Sequence, residues 1–506
     1  METESTTLKN NGIRSLIWLS VVLLAALGLR LFHLHDRVLW FDEANSLLIA
    51  RASPSQIADA VRDDTHSPFY YVLLHYWQFV ANGEARARLL SVLAGVATVA
   101  VVYWLGRVLV GRGAGLLAAT FLAVSPLHIW YSQEIRMYAV QTFFVALSFL
   151  FMVMALRQDR EALWVGYSVV TALSLYAQYA SLYIVVAQNV LVAIYYGTDR
   201  LRLRRWLASQ CAVALLFAPW LPVFVSQARM AVGSSWLGPL EPGRVLAFFS
   251  LFSGAYLGDT HGRSVSVVIT VAALVIPVAI LLYRRESRQT AAFLLLWFVV
   301  PVVLLALQSL NQNRFLPRVL LSTVPPLALL LGCAMTQPGK AMVRAITVFV
   351  GIALFVANLY ALRNYYFLEN PWVKSDLREA AGNLANEIQA GDIVVHLSES
   401  SFRPFQCYLG NGVVQGVIDT PVYQPHLFRV TGDGRLPQST AGFKRVWLVL
   451  YPDQFHRDLA ETTRDWMNRH HHFVRTLHES GTIFVGLYDR QDPQLAPADA
   501  SPSQKS

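Results

Sequence analysis

Charge is scarce in this sequence. Only 14% of its 506 residues are Asp, Glu, Lys or Arg, where soluble globular domains carry about 25%. That shortage argues against a cytosolic enzyme, and a hydrophobic share of 55% argues equally against disorder. Cysteine is scarcer still. Cys211 and Cys333 lie in apolar segments, and Cys407 stands alone in a polar one. No disulfide framework and no Cys-based zinc spacing can be built from them. Nor does a P-loop, a Rossmann glycine fingerprint, an HExxH or a GxSxG occur in a sensible context.

What the chain does have is long apolar runs, which mark a polytopic α-helical membrane protein. Candidate spans are 16–34, 90–106, 114–129, 138–156, 162–179, 181–196, 207–225, 264–282, 291–309, 319–335 and 344–362, about 11 in all. The first follows Lys9 and Arg14 and imitates a signal peptide. No small-residue cleavage site comes after it, so it is read as a retained span. The aromatic segment 68–81 is too short to cross and is placed as an interfacial helix.

The formal charge of +9 does not point to nucleic acid. Much of the excess is Arg in short loops, where it sets orientation. With the N-terminus cytoplasmic, the inside loops hold Arg107 and Arg112; Arg157 and Arg160; Arg200, Arg202, Arg204 and Arg205; Arg284, Arg285 and Arg288; and Lys340 and Arg344. Every expected inside loop is then basic. The loops 35–89, 130–137, 226–263 and 310–318, and everything from 363 onward, fall on the outer face.

The polar residues on that face are few. Asp42 and Glu43 stand in RVLWFDEANSLLIA, which reads as an amphipathic helix on the membrane surface. Adjacent helical residues point about 100° apart, so the two acids need not share a task. An Asp-Glu pair is in general a solvated interfacial pair; partial desolvation among aromatics would make one of them a better base. Glu134 and Arg136 lie between two spans, flanked by Tyr131 and Tyr138, after Pro126 has ended or kinked the preceding helix. At bilayer depth they are either a structural ion pair or a phosphate or metal site. His66, before Ser67-Pro68, reads on spacing alone as a turn residue. Arg30 and Arg314 are cations on the outward side. Each either snorkels to head groups or pairs with a lipid-linked phosphate, which the guanidinium fork suits. An outward-facing enzyme has no nucleotide pool, so an activated donor would arrive on a lipid carrier.

The run RLFHLHDRVLWFDEANSLLIA, then HSPFYYVLLHYW, then ARARLLSVLAGVATVAVVYWLGRVLVGRGAGLLAATFLAVSPLHIWYSQEIRMYA resembles the glycosyltransferase family 39 group. That group includes protein O-mannosyltransferases and lipid A aminoarabinose transferases and has the C-type membrane glycosyltransferase fold. The likeness is collinear over roughly 28–200, and NRFLPRVLLSTVPPLALLLG looks like a later landmark. The resemblance implies a polyprenyl-phosphate sugar donor, a lipid, glycan or protein acceptor, and inverting transfer on the non-cytoplasmic face. It implies Asp42 as the catalytic base and Glu134 as a second outer-loop acid, with Arg136 and Arg314 facing the leaving phosphate. Glu43, His66, Tyr131 and Tyr138 complete the expected substrate-contacting set. Some relatives hold a divalent metal cation near this site and others show no clear need of one; both stay open here. The proline pair often seen in the second motif is replaced by His66-Ser67-Pro68, which leaves the role of His66 open.

After residue 363 the apolar runs shorten. SDLREAAGNLANEIQ reads as a helix with Ser375 as N-cap, GDIVVHL and RVWLVLY as strands, QFHRDLAETTRDWMNRHH as a helix, and HFVRTLHES with TIFVGLYDR as a closing strand pair. His470 to His472 read as a solvated helix end rather than metal ligands. The expected organisation is a transmembrane glycosyltransferase domain over 1–362, with outer-face amphipathic helices in 35–89. A soluble extracytoplasmic α/β domain follows over 363–490, then a disordered tail over 491–506. The simplicity of the chain and its tail suggest a bacterium, and with it an inner (plasma) membrane. The alternative function is a transporter or flippase of lipid-linked sugars. Transporters show internal repeats and polar, broken spans near the midplane; here polar residues concentrate at the outer boundary and no repeat is evident, which favours the enzyme.

Overall fold

In hydrocarbon every backbone N–H and C=O must find its partner within its own segment, so apolar runs fold as helices. The computed structural model describes residues 2–81, 83–231, 238–253, 260–338, 340–368, 376–418, 440, 442–451, 457–481 and 483–490. They fall into two compact units, Met1–Leu34 with Ser53–Leu368, and His35–Ala52 with Glu369–Ser506.

In the first unit all eleven expected spans fall on helices. Among the described residues, eight helices are long and apolar enough to cross a membrane, or nine if one bent pair counts as a single span. The estimate of eleven is reduced by short helices: Glu161–Ala177 and Ser181–Tyr196 have 17 and 16 residues, below the ~20 that cross a hydrocarbon core unaided. The bent pair is Arg112–Ala123 and Pro126–Ser132, which meet at 64°. Pro126 cannot donate a backbone hydrogen bond to the preceding turn, so the helix breaks just before it. Segment 68–81 forms the helix Phe69–Val80, with Tyr70, Tyr71 and Leu74 buried.

The bundle also holds polar groups at depth, contrary to the expectation that they keep to the outer boundary. Tyr167 OH donates to Gln188 Oε1 at 2.8 Å, Gln188 Nε2 to Ser148 Oγ at 2.9 Å, and Gln210 Nε2 to Tyr167 OH at 3.0 Å. Asn189 joins through Gln210 and Trp206. Single polar residues spread over four helices look like filler in the sequence. Folding brings them together and satisfies them mutually.

The second unit contains a five-stranded sheet: β1 (Ile393–His396), β2 (Val414–Val417), β3 (Arg445–Leu450), β4 (His471–Glu479) and β5 (Phe484–Arg490), ordered β2-β1-β3-β5-β4. The first three are parallel; β3–β5 and β5–β4 are antiparallel. Parallel strands need cover on both faces. One face packs Val394, Trp447, Val449, Val485 and Leu487 against Leu377, Ala380, Ala381 and Leu384 of the helix Leu377–Glu387 and Phe405 of the helix Glu399–Leu409. The other buries Ile393, Val395, Val446, Leu448 and Met467. This is the α/β arrangement expected from the alternating pattern. The N-cap position belongs to Asp376; Ser375 and 491–506 lie outside the described residues. Of the His triplet, His470 ends a helix and stacks on Trp466 at 4.3 Å, while His471 is buried at the start of β4 rather than solvated.

The largest departure concerns residues 35–52. The expected surface helix is Phe41–Ala50, but seven of its ten residues are buried, because it belongs to the C-terminal unit. Leu48 packs with Phe402 and Val417. Leu39 N–H donates to Tyr408 OH at 3.2 Å, Cys407 Sγ–H to Ala44 O at 3.6 Å, and Arg378 to the carbonyls of His35 and Arg37.

Candidate active site

Residues 133–137 form the turn between Pro126–Ser132 and the helix Tyr138–Gln158. The turn is tied down from two spans. Gln133 Nε2 donates to the carbonyls of Arg30 and Phe32 at 2.9 and 3.0 Å, and Tyr365 OH donates to Gln133 Oε1 at 2.7 Å. Arg30 itself is fully buried: it donates to the carbonyls of Ala26 and Ala123, to Ser132 Oγ, and from Nη2 to His128 Nδ1 at 2.8 Å. It neither snorkels nor waits for a phosphate; it donates to the carbonyl of Ala123, at the helix end left by the break. Gly95 makes room for it. A Cβ there would stand 2.2 Å from Ser132 Oγ and 3.0 Å from Arg30 Nε.

On this platform Glu134 and Arg136 are each 3% exposed. Trp130 Nε1 donates to Glu134 Oε1 at 2.5 Å. The Arg136 guanidinium lies 5.8 Å from the centre of the Tyr138 ring, within cation–π range, and Tyr138 meets Tyr131 edge-on at 5.5 Å. Arg136 Nη2 donates to His66 Nε2 at 3.3 Å, and the carbonyl of Arg136 accepts from Ser91. Thus His66, Tyr131, Arg136 and Tyr138 are brought together across a long sequence interval.

The sequence reading did not single out Asp64. His66 Nδ1 sits 3.2 Å from Asp64 Oδ1 and 3.4 Å from Thr65 Oγ1. Burial works to raise the Asp64 carboxyl, but the hydrogen bonds from His66 and the Thr65 N–H and the charge of Arg136 outweigh it and hold the group below its ordinary value. A signal existed: an acid two residues before a histidine in a Ser-Pro turn is placed to hold that ring. The turn is fastened from behind by Gln227, which donates to the carbonyls of Val61 and His66.

Arg314 is held from the loop after Arg288–Asn311. Its N–H donates to Ser309 Oγ at 3.2 Å and its Nη2 to the carbonyl of Ala231 at 2.6 Å. In the C-terminal unit, Asp42 is the second residue of Phe41–Ala50 and half-buried, whereas Glu43 is 1% exposed. Ser46 Oγ donates to the Asp42 carbonyl. The two acids do diverge, Glu43 inward and Asp42 toward accessible space. Among the described residues no three His, Cys, Asp or Glu side chains converge as metal ligands do.

ArnT from Cupriavidus metallidurans, in the apo state, matches this structure with TM-score 0.64 at 12% identity, over 94% of this chain and 98% of that one. The same protein bound to undecaprenyl phosphate gives 0.62 at 13%, over 93% and 97%. The chain has the C-type glycosyltransferase fold. Archaeal oligosaccharyltransferase AglB from Archaeoglobus fulgidus, in complex with an inhibitory peptide and a dolichol-phosphate, is a more distant example of this C-type fold. Its TM-score is 0.53 at 13% identity, over 97% of this chain and 75% of that one. The family model for dolichyl-phosphate-mannose-protein mannosyltransferase matches residues 65–225. That interval contains His66, Glu134 and Arg136 and excludes Asp42 and Arg314. No curated relative matches the sequence. With its long apolar helices, the chain is a multi-pass membrane protein that has this fold.

Proposed function

We propose that the protein transfers a sugar from a polyprenyl-phosphate donor to a hydroxyl of a lipid, glycan or protein acceptor, on the extracytoplasmic face of a bacterial inner membrane. The carrying observation is Arg136: a guanidinium 3% exposed, walled by Tyr138 and braced by His66 at the end of a membrane helix. An ionisable group in such a place is costly unless used, and its fork matches a phosphate. A structure of the same fold carries undecaprenyl phosphate.

The chemistry is one in-line displacement. The acceptor oxygen bonds to the anomeric carbon as the carbon–oxygen bond to the phosphate breaks, with inversion. Asp42 takes the hydroxyl proton, and Arg136 and Arg314 meet the charge developing on the phosphate. Glu134, aligned by Trp130, and His66, Tyr131 and Tyr138 contact the substrates, whereas Glu43, 1% exposed and turned inward, is assigned no substrate contact. No step is routed through a divalent cation, because the described residues offer no cluster of metal ligands.

The buried Tyr167–Gln188–Ser148–Gln210 network gives the transporter reading its one observation. Its groups satisfy one another, as structural networks do. Purified protein given a panel of undecaprenyl-phosphate sugars and membrane-extract acceptors should release undecaprenyl phosphate and label an acceptor. Movement of the intact lipid-linked sugar across proteoliposomes without its consumption favours the flippase instead. The proposed orientation puts alkaline phosphatase fused after Tyr360 in the periplasm, so the fusion should be active in bacteria; a stable but inactive product reverses it.

A further inference from the structure

Arg136 is braced by a histidine, and the histidine by a carboxylate. Asp64 Oδ1 lies 3.2 Å from His66 Nδ1, and His66 Nε2 lies 3.3 Å from Arg136 Nη2. Both His66 and Asp64 are about one-fifth exposed at their side chains. A guanidinium has only donors, so Nε2 facing it must be the unprotonated nitrogen. The proton is then on Nδ1, where Asp64 and Thr65 offer acceptors. The carboxylate thereby selects the tautomer that can accept from Arg136. Without it the other tautomer would set N–H against N–H and turn the guanidinium away. The histidine's carbonyl is pinned independently by Gln227, so the ring has a fixed base from which to bridge.

We propose that Asp64 is a positioning residue: through the Nδ1–H of His66 it fixes the direction of the Arg136 guanidinium and so the affinity for a lipid-linked phosphate. This rests on the reading of Arg136 as a phosphate-binding group. It adds a residue that would not touch the substrate, and it assigns His66 a bridging duty as well as a contact.

The test is undecaprenyl phosphate binding by the full chain in lipid nanodiscs. Asp64→Ala should weaken binding about tenfold, and Asp64→Glu should recover most of the loss. Arg136→Ala should weaken binding at least as much, and adding Asp64→Ala to it should cost nothing further, since both act through one group. Wild-type affinity in Asp64→Ala, beside a loss in Arg136→Ala, overturns the proposal and leaves the phosphate reading standing. Additive losses in the double variant also overturn it. Wild-type affinity in Arg136→Ala removes the phosphate reading and this inference with it. If Asp64→Ala does not yield folded protein, Asp64→Ser removes the carboxylate with a smaller change at the site, and the same outcomes decide.

Discussion

Arg136 and Asp42 sit in different units, and the two units hold them differently. The turn bearing Arg136 is fastened by polar bonds: Gln133 to the carbonyls of Arg30 and Phe32, Tyr365 to Gln133, His66 to the guanidinium itself. Where lipid offers no water, such groups must find each other, and each bond made in low dielectric is directional. The helix bearing Asp42 is fastened mainly by burial, through Leu48 on Phe402 and Val417. Hydrophobic contact fixes where the helix lies and leaves Asp42 half-buried. The C-terminal unit is therefore no appendage: it owns the helix that carries the proposed base. Variants should separate by unit, those near Arg136 changing how the lipid phosphate binds, those under the Asp42 helix changing how fast transfer proceeds.

The largest expected effect is at Asp42. Asp42→Asn should cost about 10²–10⁴-fold in transfer rate, the usual contribution of a general base, while undecaprenyl phosphate binding stays at the wild-type level. Full transfer by that variant would take Asp42 out of the mechanism. Next is Phe402, 0% exposed beneath Leu48. Truncating a buried Phe to Ala removes about 3–5 kcal/mol, so Phe402→Ala should lower the melting temperature of the C-terminal unit and depress kcat. Its undecaprenyl phosphate affinity should not move; a matching loss of affinity would erase the distinction between the units. Smaller again is Arg136→Lys, which keeps the charge but not the planar fork. A rise of roughly tenfold in donor KM with little change in kcat is expected from steady-state kinetics, and a loss confined to kcat would break the comparison on this side.

The helices over the expected spans, the break at Pro126 and the short helix Phe69–Val80 were legible because hydrocarbon imposes length and composition on any crossing segment. So were the β1, β3 and β5 runs, whose apolar residues line the sheet. Three things were not. Segment 35–52 runs directly into 53–89, and nothing local says that one part joins residues beyond 368; Leu48 meets Phe402 only in the folded unit. Arg30 looks like any helix-end cation until Gly95 and the carbonyl of Ala123 show the space and acceptor waiting for it. The polar network reads as scattered Gln, Asn and Ser because its partners are spread over four helices. In each case the missing information is long-range pairing, which composition and periodicity do not carry.

A last prediction concerns the C-terminal unit alone. His396 is 0% exposed on β1, its Nδ1 3.1 Å from Ser401 Oγ and its Nε2 3.0 Å from Gln415 Oε1. Burial pushes the imidazole down to about 3, with the Gln415 hydrogen bond opposing only part of that. The unfolded chain takes up this proton near the ordinary value of 6.5, whereas the folded unit refuses it. The folded pKa being the lower one, the neutral histidine's contribution is fully present above pH 6.5 and is lost as pH falls toward 3, at up to about 1.4 kcal/mol per unit. Protease susceptibility of the C-terminal unit in the full chain, measured at pH 7, 6, 5 and 4, should therefore rise steadily. His396→Gln keeps a polar group at the site but has no proton to take up, so its profile should be flatter by that amount. Identical slopes in the two proteins would mean that protonation elsewhere in the unit governs its acid sensitivity, and that β1 is not where the C-terminal core first yields to acid.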